Sequence, residues 1–234
     1  MRQAGAIYYD QIGYQEAWDL QKEIVKRIDR EQSDETLLLV QHPPTYTIGS
    51  QRHPEHLLYE KEELEARGIG LFEIDRGGDI TYHGPGQLVG YPLFYLDAEG
   101  LDLHRYLRDL EQALIDFLLS EFRIVGSRKP EYTGVWVGDS KIAAIGVKFN
   151  KCRHRRGFVT SHGFALNVRA EAAGEGFTGI VPCGIREYGV TSLQQCSGIA
   201  MSVHEAALRV TPFLAATFGF GAIAITEAPA KKAE

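Results

Sequence analysis

The chain has 234 residues, 44% hydrophobic and 24% charged, with a formal net charge of -6. That balance fits a soluble globular domain with one sizeable core and argues against a general nucleic-acid binder. No window holds the roughly 18 uncharged apolar residues that a membrane span needs, and the first residues lead into no signal-type apolar run, so a cytoplasmic protein without membrane contact is expected. Three cysteines, Cys152, Cys183 and Cys196, are too few and odd in number for a disulfide framework, which leaves them as thiols.

In chain order, Ala6 to Tyr9 reads as a short strand, and Tyr14 to Ile28 carries apolar residues at helical spacing. Thr36 to Val40 is an apolar strand ended by His42-Pro43-Pro44. A surface helix from about Glu60 to Arg67 follows, then strand Leu71 to Ile74, a glycine-rich segment, and strand Leu88 to Tyr95. Leu103 to Phe122 is the strongest helix, with Tyr106, Leu107, Leu110, Leu114, Phe117 and Leu118 on one face. Val135 to Val137, Ile142 to Phe149 and Phe158 to Leu166 are further strands, the last two joined by a basic loop. Val203 to Phe218 is a final helix that Pro212 should kink or divide. This mixed order indicates an α/β or α+β fold, a single domain over residues 1–226 with its sheet covered mainly on one side and a loose tail over 227–234.

The segment Arg76-Gly77-Gly78-Asp79-Ile80-Thr81-Tyr82-His83-Gly84-Pro85-Gly86-Gln87 is the most informative. Glycine lets a backbone approach a ligand closely and adopt positive φ, while Arg, Thr, Tyr and His supply donors that a plain turn does not need. Thr160-Ser161-His162-Gly163-Phe164-Ala165 carries a second His-Gly pair, and two such corners could face one cleft; the plainer reading is that each imidazole braces a loop. Lys148, Lys151, Arg153, Arg155 and Arg156 concentrate fixed cations, either as a solvated loop or as a docking surface for an acidic partner.

Pro182-Cys183-Gly184 places a thiol at a tight turn, where a nearby ammonium would favour the reactive thiolate. Lys141 opens the strand Lys141-Ile142-Ala143-Ala144-Ile145-Gly146-Val147, whose other residues are small or apolar, so its amine is a candidate partner. An inert buried Cys and a surface Lys at a strand end are the plainer alternative. There is no C-x-x-C, H-E-x-x-H, dinucleotide fingerprint, G-K-[S/T] or G-x-S-x-G, so neither a metal nor a nucleotide cofactor is expected.

Taken together, R-G-G-D-I-T-Y-H-G-P-G-Q-L-V-G-Y, K-I-A-A-I-G-V, T-S-H-G-F-A-L-N and V-P-C-G-I resemble the octanoyltransferases, also called lipoyl(octanoyl) transferases or lipoate-protein ligase B, from about Tyr14 to Leu193. The resemblance implies an α/β domain with a mixed sheet, like the biotin and lipoate protein ligases and related to class II synthetase cores. It implies transfer of an octanoyl group from acyl carrier protein to a lysine of lipoyl carrier domains, namely those of 2-oxoacid dehydrogenases and the glycine cleavage H protein. By the same resemblance Cys183 forms the thioester, Lys141 lowers its pKa, and substrate contacts fall on Arg76 to His83, on Ala144-Ile145-Gly146 and on Gly163-Phe164-Ala165, with His162 beside them. A monomer is expected.

An acyl group already activated as a thioester can pass through Cys183 to an amine without ATP or metal, which suits the missing nucleotide motifs. Backbone N–H groups at Gly184, at Gly77-Gly78 or at His83-Gly84 are the candidate oxyanion donors, and Ile145, Phe164 and Tyr82 the candidate lining of an acyl tunnel. Two features depart from the family pattern: a longer stretch between Lys141 and His162, which is the basic loop, and an extension at Gly174 to Gly176. The rival readings are an ATP-dependent lipoate or biotin ligase of the same fold, a non-enzymatic acyl-carrier binding module, and a cysteine hydrolase on an unrelated fold.

Overall fold

The computed structural model describes residues 2–99, 101–182 and 188–229. β1 (Ala4–Tyr9) leads into α1 (Tyr14–Asp29), which buries Tyr14, Ala17, Gln21, Ile24 and Ile28 at the three-to-four spacing of one helix face. β2 (Glu35–Val40) and β3 (Thr45–Ile48) flank the His42-Pro43-Pro44 break. α2 (Lys61–Arg67) ends on Gly68 at φ 65, the left-handed cap that glycine adopts without a Cβ penalty. β4 (Gly70–Glu73), β5 (Ile80–His83), β6 (Gln87–Leu93) and β7 (Tyr95–Leu96) precede α3 (Leu103–Phe122), where the Asp102 carboxylate accepts from Arg105 N–H. β8 (Ser127–Lys129), β9 (Tyr132–Val137), β10 (Ser140–Lys151), β11 (Phe158–Asn167) and β12 (Gly189–Val190) follow. α4 (Leu193–Ser197), α5 (Val203–Thr217) and β13 (Ile225–Glu227) complete the described chain.

Ten strands form one mixed sheet in the order β13-β1-β2-β6-β11-β10-β9-β8, with β12 joined to β10 and β7 to β11; β4-β3-β5 form a separate small sheet. α3 and α5 cover one face of the large sheet through Leu110, Leu114, Phe117, Val210 and Leu214 against Leu37, Leu39 and Leu166. α1 covers the other through Ala17, Ile24 and Ile28 against Leu38, Val40, Val89 and Tyr91. The sheet is therefore covered on both faces, not mainly on one. Consecutive Leu37-Leu38-Leu39-Val40 point alternately to the two cores, and such a continuous apolar run is what two-sided burial requires.

Three further differences have local causes. Pro212 lies inside an undivided α5; Leu208, whose carbonyl would have received the missing hydrogen bond, is on the exposed side, where water can serve it. Lys148 and Lys151 belong to β10, so the basic turn proper is confined to Arg153 to Arg156. Pairing of β13 with β1 reaches Glu227, and Ala228 N–H donates to Tyr8 O at 2.8 Å, so order extends into the segment read as a tail.

Candidate active site

β10 and β11 form the floor of the site. They pair antiparallel from Ala143↔Leu166 through Ala144↔Ala165, Gly146↔Gly163 and Val147↔His162 to Lys151↔Phe158. Gly163 crosses β6 so closely that a Cβ there would lie 2.2 Å from Gly90 O, and a Cβ on Gly90 would strike the Phe164 ring at 2.3 Å. Small residues at these positions let three strands and one aromatic ring share the space beneath a cavity.

Two contiguous cavities lie over this floor. The first, about 430 Å³, is lined by Lys141, Trp136, Phe177, Pro182 and Tyr188, with Gln87 and Asn167 as its polar wall. The second, about 480 Å³, is lined by Arg76, Gly77, Gly78, Asp79, Thr81, His83, Ala144, Ile145, Gly146, His162, Gly163, Phe164 and Ala165, together with Tyr14 and Tyr91. Thr81, Ala144 and Ala165 line both and form the neck between them. A more open cleft of about 1080 Å³ also reaches Lys141, past Gly77 to Asp79 and Tyr132.

Lys141 is half-buried, opposite Trp136 in the β9/β10 ladder. Its stem runs beside Gly134, and its ammonium lies 4.9 Å from the centroid of the fully buried Trp136 ring, a cation–π seat. Cys183 falls outside the described residues, as does Gly184. Their flanks do not: Pro182 and Tyr188 line the first cavity with Lys141, and β12 pairs parallel with β10 at Lys141↔Val190. The Tyr188 ring packs edge-on to Trp136 at 5.4 Å. The chain on the other side is held too, since Val181 N–H donates to His56 O at 2.8 Å and Leu58 N–H to Gly179 O at 2.9 Å.

A buried polar network fixes the glycine-rich segment. The neutral His83 ring donates from Nδ1 to Gln87 Oε1 at 2.8 Å, and Gln87 Nε2 donates to Asn167 Oδ1 at 3.0 Å. Asn167 Nδ2 donates to Thr191 O at 2.9 Å, and Thr191 N–H donates to Lys141 O at 3.0 Å. The chain of bonds thus runs from the glycine-rich segment to the Lys141 strand. Burial pushes His83 well below the usual imidazole range, with the neighbouring His42 and Arg76 charges acting in the same direction. Arg76 is itself buried, donating to Thr47 O at 2.8 Å and Thr47 Oγ1 at 2.9 Å.

His162 is a β11 residue at φ 56, outside the usual range for a side-chain-bearing residue. Its Nε2 pairs with Asp75 Oδ1 at 2.9 Å; burial lowers its pKa and the Asp75 carboxylate only partly opposes this. Asp75 is held below the ordinary carboxylate range first by that hydrogen bond, then by Lys148. Asp79 is paired with His56 through Oδ2, while its buried Oδ1 has no hydrogen-bond partner among the described residues.

Most residues expected from the sequence thus meet around the two cavities. Ile80 and Tyr82 do not: strand alternation turns them into the core of the small sheet, with Tyr46 and Leu64, while Thr81 and His83 face the cavity. Tyr82 therefore lines neither cavity. Gly77 N–H is spent on Val147 O at 2.9 Å and is not an oxyanion donor. Trp136, Gln87 and Asn167 were missed; the last two end the H-G-P-G-Q and G-F-A-L-N motifs, and buried amides in such motifs are a legible signal.

The site is thus a sheet floor with a lysine beside an apolar slot and a glycine-rich strap over it. The chain belongs to the family described as lipoyl protein ligase A/B catalytic domain, which matches residues 13–214. Among its relatives, an octanoyltransferase of Rubrobacter xylanophilus is 51% identical over 183 residues, 78% of each chain. An octanoyltransferase of Chloroflexus aurantiacus is 45% identical over 90% of this chain and 92% of its own. The protein is accordingly an enzyme, an acyltransferase for lipoyl or octanoyl transfer.

Solved structures give the same fold. Lipoate-protein ligase A bound with ATP superposes with a TM-score of 0.72 at 17% identity, covering 96% of this chain and 90% of that one. A bipartite lipoate protein ligase from Thermoplasma acidophilum gives 0.68 at 19%, covering 96% and 88%.

Proposed function

We propose that the enzyme moves an octanoyl group from acyl carrier protein to Cys183 and from there to a lysine of a lipoyl carrier domain. The supporting observation is that Pro182 and Tyr188, which bracket the segment holding Cys183, share one cavity with Lys141.

In the first half-reaction the Cys183 thiolate attacks the thioester carbonyl; the new C–S bond forms, the donor C–S bond breaks, and the departing thiolate takes a proton from the Lys141 ammonium. In the second, the acceptor lysine amine attacks the enzyme thioester, an amide forms, the C–S bond to Cys183 breaks, and neutral Lys141 receives the proton. The acyl tail runs through the neck at Thr81, Ala144 and Ala165 into the second cavity, over Gly146, Gly163 and Phe164. At about 0.8 kcal/mol per buried methylene the tail contributes roughly 5 to 6 kcal/mol. His83 and His162, both neutral, hold the strap in place rather than exchange protons.

The test is incubation with octanoyl-carrier protein and a lipoyl domain, without nucleotide or magnesium, with octanoyl-lysine detected by mass spectrometry. Product is expected. Product only from free octanoate with ATP would replace this reading with the ligase one.

A further inference from the structure

Beyond the cavities, α1 and the β10/β11 hairpin enclose an open groove of about 970 Å³. Lys22 and Lys26 on α1 and Arg30 at its C-cap line one wall at four-residue intervals; Lys148, Lys151 and Arg153 line the other. Among the described residues only two carboxylates line it, and both are engaged: Asp29 accepts from Arg153 N–H, His154 N–H and His154 Nδ1, and Asp75 from His162 and Lys148. Several exposed cations elsewhere are neutralised locally, as in Arg67–Glu63, Arg105–Asp109 and Arg209–Glu205. Here Lys26, Arg30, Lys151 and Arg153 have no side-chain ion pair or hydrogen bond among the described residues. Facing rows of unneutralised cations repel one another unless an anionic surface lies between them, and in a chain of net charge -6 they are a local exception.

The groove is in line with the site. Along β10, Lys141 borders the first cavity, Ala144 to Gly146 the second, and Lys148, Asn150 and Lys151 the groove, which continues to Arg153 in the turn beyond. Seven residues of strand separate Lys148 from Lys141, about 23 Å. A partner seated there must present its acyl group on a long flexible arm, which is how a carrier-bound thioester is delivered.

We propose that this groove docks an acidic face of the carrier protein that donates the acyl thioester, an inference that rests on the function proposed above. The acceptor domain docks elsewhere. Steering by such a groove raises the association rate, falls with salt, and leaves chemistry on a small donor untouched.

The test compares wild type with Lys26→Glu/Arg30→Glu and Lys151→Glu/Arg153→Glu, none of which touches the cavities. Acylation of the enzyme is followed by intact mass with octanoyl-carrier protein and, separately, with octanoyl-pantetheine; transfer from pre-acylated enzyme to a lipoyl domain is timed as a third reaction. Each double reversal should slow carrier-dependent acylation by about tenfold or more at low salt, with a flattened salt dependence. The pantetheine and acceptor reactions should be unchanged. An unaltered carrier rate, an equal loss with octanoyl-pantetheine, or a loss confined to the acceptor step would each overturn the proposal. Wild type that accepts octanoyl from neither donor would instead sink the reaction itself, and the docking with it.

Discussion

Substitution of His42 by glutamine is expected to remove a large part of the acid sensitivity of folding. His42 is fully buried; its Nδ1–H donates to Ile12 O at 2.8 Å and its Nε2 accepts from Tyr91 Oη at 2.7 Å. Burial pulls its pKa from 6.5 to about 4, the bond to Ile12 opposing only weakly. The unfolded chain therefore binds a proton near pH 6.5 that the folded chain refuses until about pH 4, so stability is full above that range and is lost as pH falls through it. At 1.36 kcal/mol per pKa unit the full loss is about 3 kcal/mol, and between about pH 7.5 and 5 it is about 2 kcal/mol. His83 and His162 are shifted the same way and add to the wild-type slope. Glutamine can donate to Ile12 O and accept from Tyr91 without titrating. Urea unfolding at the two pH values should show the difference between them reduced by about 2 kcal/mol in His42→Gln relative to wild type. A variant that loses as much stability on acidification as wild type would refute the reasoning.

Three other substitutions probe the site. Gln87→Leu deprives His83 Nδ1 and Asn167 Oδ1 of their partners; chemical denaturation should show a loss of about 1 to 3 kcal/mol. Gly90→Ala places a Cβ within 2.3 Å of the Phe164 ring, which should cost about 1 to 3 kcal/mol and slow octanoyl acylation when both are measured on one preparation. Ala144→Leu fills the neck shared by the two cavities. Excluding about three methylenes from the second cavity costs roughly 2 kcal/mol, so competition between butanoyl and octanoyl donors should shift about thirtyfold toward the shorter chain.

The sequence was most legible where one physical signal dominates. The stripe from Tyr106 to Leu118 defines α3 with the limits read from it, Leu103–Phe122. The strand β5 was not read from the glycine-rich segment because its apolar/polar alternation, Ile80-Thr81-Tyr82-His83, spans only four residues between glycines, with Ile80 and Tyr82 facing a small core and Thr81 and His83 a cavity. Two-sided coverage of the sheet was written in Leu37 to Val40 but needs α1 to be placed before it can be read. Trp136 beneath Lys141 depends on the β9/β10 register, which shifts between Lys141 and Ala143. The return of Tyr188 to Val190 beside Lys141 likewise joins residues about fifty positions apart through a ladder that only folding sets.

The central claim is that one thiol, assisted by one amine, carries the acyl group between two proteins. Intact-mass analysis after exposure to octanoyl-carrier protein tests it most directly, on wild type, Cys183→Ser and Lys141→Ala in parallel. A single octanoyl adduct is predicted on wild type, none on Cys183→Ser, and a slowed one on Lys141→Ala, each adduct being discharged on addition of a lipoyl domain. An adduct of equal rate and yield on Cys183→Ser would contradict the account.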